Sequence, residues 1–493
     1  MQKKHINKII CAVAMTVTMV FSMTGCEAKN KNAKVKLDPN NPVSITIWHY
    51  YNGTQQASFD ALVEEFNATV GKEQGIFVKG SSYGSVSDLE KAIHSSLEGE
   101  VGASELPSIF SSYADTAYTA QKQGKLIDLT KYFTKEELDT YVDTYVQEGY
   151  FNQDGALYLL PVAKSTEVMI INKTDWEPFA KETGCTLEDL STIEGVVEVS
   201  KKYYEWTDAK TPGIANDGKA FYGRDSMSNY FVIGMRQMGK EIFDAQKDGS
   251  VVLNLDKELI RRLWDNYYVP YMNGYFASYG KFRSDDVKTG DILAYTGSTS
   301  SSFYFPDNVE TESGAYPIDF QVITAPIMEG GEKIMVQQGA GMAIVKSDSQ
   351  HEYASSVFLK WFTEKEHNLR FVCDSAYMPV LKDANTIESI DKVISDNNIQ
   401  MNKKVYGCLE CVMNQFDSIK FYASRNFENG YPARKVLDYN LSDKADADKA
   451  ELNDAIANGA NREEELSKYI SDESFEAWYE EFTEVLKQAA GVN

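Results

Sequence analysis

From residue 43 to residue 123 the chain alternates short runs of period two with longer runs of helical period, and this constrains its fold more than any other feature. Residues 43–48 (Val-Ser-Ile-Thr-Ile-Trp) place apolar side chains on one face of a strand and hydroxyls on the other. Residues 58–66 then put Phe59, Leu62, Val63 and Phe66 on one helical face. A second short strand follows at 75–79. Ser87-Asp88-Leu89-Glu90 has the capping-box pattern for a helix running towards Leu97. A third strand is expected at 107–111, with a helix over 114–123. Parallel strands need a crossover between them, and helices of this length supply it, so an α/β unit with a largely parallel sheet is expected.

The pattern resumes after a turn at Asn152-Gln153-Asp154-Gly155, with strands at 156–161 and 168–172 around Lys164-Ser165-Thr166-Glu167. Helices over 187–204 and 255–268 mark a second α/β region, and strands return at 320–325 and 341–345. Residues 352–371 read as one amphipathic helix carrying Tyr353, Val357, Trp361 and Phe362 on one side. The stretch 443–465 is acidic and alanine-rich, and 475–486 is a closing helix. There is no internal repeat. A chain of 493 residues is long enough for about three domains of ordinary size.

The first 26 residues address the location of the protein. Lys3, Lys4 and Lys8 precede a 13-residue apolar run at 9–21. That run is too short for a bilayer span, which takes about 20 residues, and suits a cleavable signal. It ends in Met23-Thr24-Gly25-Cys26, which resembles the lipobox of bacterial lipoproteins, with methionine where leucine is usual. The resemblance implies cleavage before Cys26 and lipidation of that cysteine. A plain secretory signal is the alternative. Residues 26–42 are polar and read as a tether. Loss of residues 1–25 leaves 46 basic against 73 acidic residues, a charge of -27. Such a surface repels phosphate backbones, so no nucleic-acid partner is expected.

Several segments stand out in order: Ile45-Thr46-Ile47-Trp48 with Phe59 through Asn67, Leu106-Pro107-Ser108-Ile109, and Gly124 through Leu129. Leu157 through Pro161, Met169 through Lys173, Ala354 through Thr363 and Tyr377-Met378-Pro379-Val380 complete the set. Taken together they resemble the extracellular solute-binding proteins of family 1, the sugar-binding components of ABC importers. Ser108 departs from the acidic residue usual at its position, and the C-terminal part is long. The resemblance implies a two-lobe, periplasmic-binding-protein-like α/β fold with a ligand cleft between lobes and an interlobe hinge. It also implies a sugar or oligosaccharide ligand, delivery to permease subunits by hinge closure, and a monomer held at the extracytoplasmic face of the cell membrane by lipid. The expected division is 43–161 (first lobe), 162–321 (second), 322–375 (return to the first) and 376–493 (C-terminal helices on the second).

Ligands of open α/β sheets sit beyond the carboxyl ends of the strands. The loop after the first strand holds Trp48, His49, Tyr50, Tyr51 and Asn52, whose rings can stack on sugar faces and whose polar ends can take hydroxyls; alternatively some of these rings belong to the core. After the third strand come Ser112, Tyr113 and Asp115. Asp115 can accept two hydroxyls or complement a helix N-terminus. Ser165 and Glu167 lie where the family crosses between lobes and reach ligand or bridge the hinge. Thr296 and Ser298 follow a strand of the second lobe, where an ordinary helix cap competes. Gln338 precedes the return strand.

Catalytic and metal readings find less support. Gly80-Ser81-Ser82-Tyr83-Gly84 matches a nucleophile elbow, which should run straight into a helix. Asp244 through Gly249 opens like a calcium loop, but its twelfth position is Leu255, so a hairpin turn is expected. Cys408-Leu409-Glu410-Cys411 is a lone CxxC without a second ligand pair. No cofactor, metal or catalytic residue is expected. A lipoprotein glycan hydrolase and a sensor docking a membrane receptor remain as alternatives.

Overall fold

The first alternating run becomes strand β1 (Val43–His49), with Ile45 and Ile47 wholly buried. The computed structural model describes residues 35–151 and 155–492. The expected leader at 1–25, Cys26 and most of the turn at 152–155 lie outside the described residues. The end of the expected tether is held in place: Asp38 and Asn41 form a β-bridge, and the Gln350 side chain donates to the Lys36 carbonyl at 3.0 Å.

Strands β2 (Ile76–Ser82), β3 (Ile109–Ser112) and β4 (Leu160–Pro161) follow in the first region. The second region carries β5 (Glu167–Asn172), β6 (Tyr222–Arg224), the hairpin β7 (Phe243–Ala245) and β8 (Val251–Leu253), then β9 (Ala294–Ser298). The hairpin β10 (Asn308–Thr311) and β11 (Gly314–Pro317) leads to β12 (Phe320–Thr324), and β13 (Ile334–Val336), β14 (Gly341–Ile344) and β15 (Lys420–Tyr422) end the series.

The first sheet has the order β2-β1-β3-β14-β4. Here β1 runs parallel to β2 and β3, whereas β14 is antiparallel to both its neighbours. The crossover helix Gly53–Ala68 buries Phe59, Leu62, Val63 and Phe66, the face read from the sequence. Gly75 turns the chain into β2 at φ +76, and a Cβ there would meet the Asp38 carbonyl at 2.5 Å, so only glycine fits. Helices Ser349–Thr363 and Lys365–Ser375 cover the same core. Residues 352–371 were expected as one helix, but Glu364 is extended (ψ 142°) and breaks it in two. The capping box is displaced likewise: Ser85, not Ser87, accepts the Asp88 N–H and starts helix Val86–Glu98.

The second sheet has the order β12-β5-β9-β6 and is mostly antiparallel, with only β6 parallel to β9. Strand β5 is buried on both faces: Met169 and Ile171 join one core, and Val168 and Ile170 the other. Because β12 pairs with β5 along its whole length, the chain stays with the second sheet as far as Thr324, beyond the boundary expected at 321. The C-terminal part divides too. Ile390, Val393 and Val405 pack in the first core, while Phe427 and the residues beyond it pack in the second. The acidic stretch at 443–465 is largely the end of the 28-residue helix Gly430–Ala457, whose buried stripe is Ala433, Leu437, Leu441, Ala445 and Leu452. The result is a mixed α/β fold of two lobes.

Candidate ligand-binding cleft

Four segments meet where the lobes join. Ser165 and Gln338 exchange backbone hydrogen bonds at 3.0 and 2.9 Å, the Lys164 N–H donates to Met378 O, and β13 pairs in parallel with β15. The Lys164 ammonium is 1% exposed and donates to Glu148 Oε2 at 2.6 Å and to Gly339 O at 2.7 Å. Glu148 also accepts the Gln337 amide at 2.6 Å. A buried lysine without such partners would be costly; here the pairing pins the crossing segments together.

Beside this junction lies a cavity of about 570 Å³ with walls from both lobes and from the C-terminal helix. The first lobe contributes Glu90, Tyr113, Asp115 and Glu148, and the second Asp225, Ser226, Ser228 and Asn229. Gln337 and Gln338, from the junction segment, also line the cavity. Helix Gly430–Ala457 closes the cavity with Tyr431, Arg434, Lys435, Asp438 and Tyr439. Tyr431, Lys435 and Tyr439 are four residues apart on the face opposite the buried stripe, and the Lys435 ammonium stands 5.4 and 5.7 Å from the two ring centres. A larger cavity of about 810 Å³ adjoins it, sharing Glu148, Gln337, Tyr422, Ala423, Ser424 and Asn426.

The wall is rich in carboxylates held in distinct ways. Asp115, in the first turn of helix Ala114–Lys122, pairs through Oδ2 with Arg434, while its buried Oδ1 has no partner among the described residues. Glu90 is 6% exposed, and burial pushes its carboxyl up to about 7, with Lys435 acting in the opposite direction. Asp225 is open to the cleft, yet desolvation by the surrounding protein still pushes it up to about 6, opposed by the backbone N–H of Arg283 at 3.0 Å. Asp438 accepts the Ser228 N–H at 3.0 Å, tying the C-terminal helix to the second lobe.

The expected site residues separate into groups. Tyr113, Asp115 and Gln338 line the cavity. Glu167 and Thr296 face a much smaller void of about 30 Å³ deeper in the second lobe. There Glu167 binds Arg224 at 3.2 Å and Asn229 at 2.9 Å, and Thr296 takes the Tyr222 hydroxyl at 2.8 Å. Ser165 is spent on backbone pairing, Ser112 donates its hydroxyl to Tyr113 O, and Ser298 caps the 3₁₀ turn Thr299–Tyr304. Trp48, His49, Tyr50 and Tyr51 are all at most 8% exposed and belong to the first core, not to the cavity wall. His49 packs 4.6 Å from Phe59, its Nδ1 has no partner among the described residues, and burial lowers it to about 4. The Tyr50 hydroxyl meets that of Tyr377 at 3.1 Å. Asn52 accepts the Tyr304 hydroxyl at 2.8 Å, a contact from one lobe to the other.

Glu90, Asp225, Ser228 and the whole helix-borne set from Tyr431 to Tyr439 were not read from the sequence. The signal existed: Tyr431, Lys435 and Tyr439 recur every fourth residue opposite an apolar stripe. Ser82 of the elbow-like motif is the last residue of β2, and its hydroxyl donates to Tyr51 O at 2.6 Å. Residues 243–253 form the expected hairpin. Cys408 and Cys411 are free thiols one turn apart in helix Lys403–Met413, pushed up by burial to about 12 and about 11. Among the described residues no group of three or more His, Cys, Asp or Glu side chains could hold a metal ion, and no helix is long and apolar enough to cross a membrane.

Fold and cleft together define a two-lobe α/β binding protein. The family model of bacterial extracellular solute-binding proteins matches residues 61–402, and the chain belongs to that family, whose members are binding proteins rather than enzymes. No curated protein sequence matches the chain. Solved structures agree on the fold. The cyclic alpha-maltosyl-1,6-maltose binding protein of Arthrobacter globiformis is 18% identical, with 91% of this chain and 100% of that chain covered and a TM-score of 0.63. A family 1 extracellular solute-binding protein of Alicyclobacillus acidocaldarius is 14% identical, with 91% and 99% covered and a TM-score of 0.59. UgpB of Mycobacterium tuberculosis, solved in complex with glycerophosphocholine, is 16% identical, with 91% and 100% covered and a TM-score of 0.62.

Proposed function

We propose that this protein is the substrate-binding subunit of an ABC importer and captures a sugar or oligosaccharide in the interlobe cleft. Tyr431 and Tyr439 stack on sugar faces, while Asp115, Glu90, Asp225 and Gln338 take hydroxyls. The observation that carries the reading is a single cavity lined by tyrosines and by acceptors from both lobes, including the unpartnered Oδ1 of Asp115. A ligand touching both walls binds the closed form better than the open one, and that difference in affinity drives hinge closure. The closed monomer then docks on permease subunits, and lipid on Cys26 keeps it at the extracytoplasmic face of the cell membrane. The saccharide named for the Arthrobacter relative supports the ligand class.

Titration calorimetry of the mature protein against a panel of neutral mono- and oligosaccharides tests the ligand. Saturable binding with no chemical change in the sugar is expected, and binding of a peptide with no response to any saccharide would refute the reading. A Cys26→Ala protein recovered from the culture medium rather than the membrane fraction would support the anchor; unchanged membrane association would remove it.

A further inference from the structure

A second cavity, of about 530 Å³, shares no lining residue with the cleft and has a different electrostatic character. In a chain of net charge -24, its wall gathers Lys219, Lys449 and Arg462 from a loop and two helices, against the single carboxylate of Asp291. None of the three cations forms an ion pair among the described residues. Each instead donates to a backbone carbonyl: Lys449 Nζ to Met272 O at 2.8 Å, Arg462 Nη2 to Asn273 O at 2.9 Å, and Lys219 Nζ to Gly290 O at a long 3.5 Å. These carbonyls end helices Tyr268–Asn273 and Arg283–Thr289, whose left-handed caps Gly274 and Gly290 are at φ +86 and +75.

Capping a helix C-terminus is an ordinary use of a cation. It consumes one N–H of Lys449 and one of Arg462, however, and an ammonium has three donors and a guanidinium five. The Asp291 carboxylate accepts the Thr289 hydroxyl and forms no ion pair with any of the three cations among the described residues. Burial, with Arg462 alongside, lowers the Lys449 ammonium to about 8, the direction expected of a cation kept from water without a counter-charge.

We propose that this cavity binds a phosphate group, borne by a small soluble monoester or by a phospholipid head. The volume exceeds that of a bare phosphate and lies within the usual range for small-molecule sites. Arg462 offers the planar fork that matches a phosphate edge, and the two lysines supply point charges around it. The site lies outside the cleft and does not depend on what the cleft holds.

The test uses the full mature chain and the variants Lys449→Gln, Arg462→Gln and their double, in which an amide N–H preserves the cap while the charge is lost. Calorimetry with inorganic phosphate and with glycerol 3-phosphate reports the soluble source. Flotation with phosphatidylglycerol vesicles, against phosphatidylcholine vesicles, reports the lipid source. Wild type is expected to bind at least one of these probes saturably, each single variant about tenfold more weakly, and the double variant not at all. Lys219→Gln, whose contact is the longest, provides a second reading if the double variant folds poorly. Absence of saturable binding of any probe to the wild type overturns the proposal, as does equal affinity in the variants.

Discussion

Two groups of aromatic side chains, one in each half of this chain, both contain tyrosine and meet opposite fates. Trp48 and His49 end β1 and Tyr50 and Tyr51 follow it, yet Phe59 and Phe371 from neighbouring helices, and Tyr377 from the segment after the second of them, close over His49 and Tyr51. Tyr431 and Tyr439 lie on a helix whose other face is held by Leu437 and Leu441 in the second core, so the tyrosines remain on the cleft wall. Tyrosine occurs in both places. What differs is whether a further element arrives to cover the rings. An aromatic cluster becomes a binding surface only where no such element arrives.

The comparison breaks if the first group proves expendable. Tyr51 is 1% exposed and touches rings on three elements, so Tyr51→Ala should lower unfolding free energy by about 3–5 kcal/mol in denaturant titration. Tyr431→Ala with Tyr439→Ala should change stability by less than about 1 kcal/mol while weakening ligand binding about tenfold or more. If the two sets of variants exchanged these signatures, the assignment of core and cleft would be reversed.

Asp115 sharpens the contrast, because it holds the two halves together across the cavity. Asp115→Ala leaves Arg434 without its carboxylate at a mostly buried site, and a loss of about 2 kcal/mol of stability is expected, together with loss of ligand binding. Asp115→Asn keeps the shape and isolates the charge. Binding retained by the asparagine form would mean that the carboxylate serves Arg434 alone.

Glu90 tests the acidic wall through pH. Its folded carboxyl sits at about 7 against an ordinary 4.5, so the folded state holds a proton that the unfolded chain has given up. Stability should therefore fall as pH rises from about 4.5 to 7, with the full cost present above that window. Glu90→Gln should flatten this part of the profile and be more stable than wild type by about 1–3 kcal/mol at pH 8, with no difference at pH 4. A variant that tracks wild type at every pH would show that Glu90 carries its charge at no cost.

Much of the architecture was legible in the residues themselves. The face of helix Gly53–Ala68, the hairpin at 243–253 and the family resemblance all rest on local pattern, and local pattern survives folding. The direction of the second sheet was not legible, since β5, β9 and β12 are separated by long excursions that leave either orientation open. The cleft was read only in part. Tyr113, Asp115 and Gln338 stand beside strands whose ends could be inferred. Glu90 and the Tyr431–Tyr439 face reach the cavity through packing between segments more than 300 residues apart, as the Arg434–Asp115 pair illustrates with a separation of 319. Nothing within a window of ordinary length encodes that meeting.

The smallest expected effect bears on the hinge. The Tyr304 hydroxyl donates to Asn52 Oδ1 at 2.8 Å, and Asn52 in turn donates to Gly84 O at 2.8 Å, so a residue of the second lobe is tied to two loops of the first. Tyr304 is 56% exposed, and water competes for both groups once the contact opens. A neutral hydrogen bond in such a setting contributes about 0.5 kcal/mol. Tyr304→Phe removes only the hydroxyl and leaves the ring, so overall stability should stay nearly constant while the closed arrangement loses that small bias. Because ligand affinity scales with the population able to hold both walls together, the expected outcome is an apparent Kd raised about twofold. Asn52→Ala should give the same shift, because its second bond, to Gly84 O, stays within the first lobe, and the double variant should give no more than either single one. Additive losses in that cycle would mean that Tyr304 and Asn52 act separately, Asn52 then serving the ligand, as its place after β1 first led one to expect.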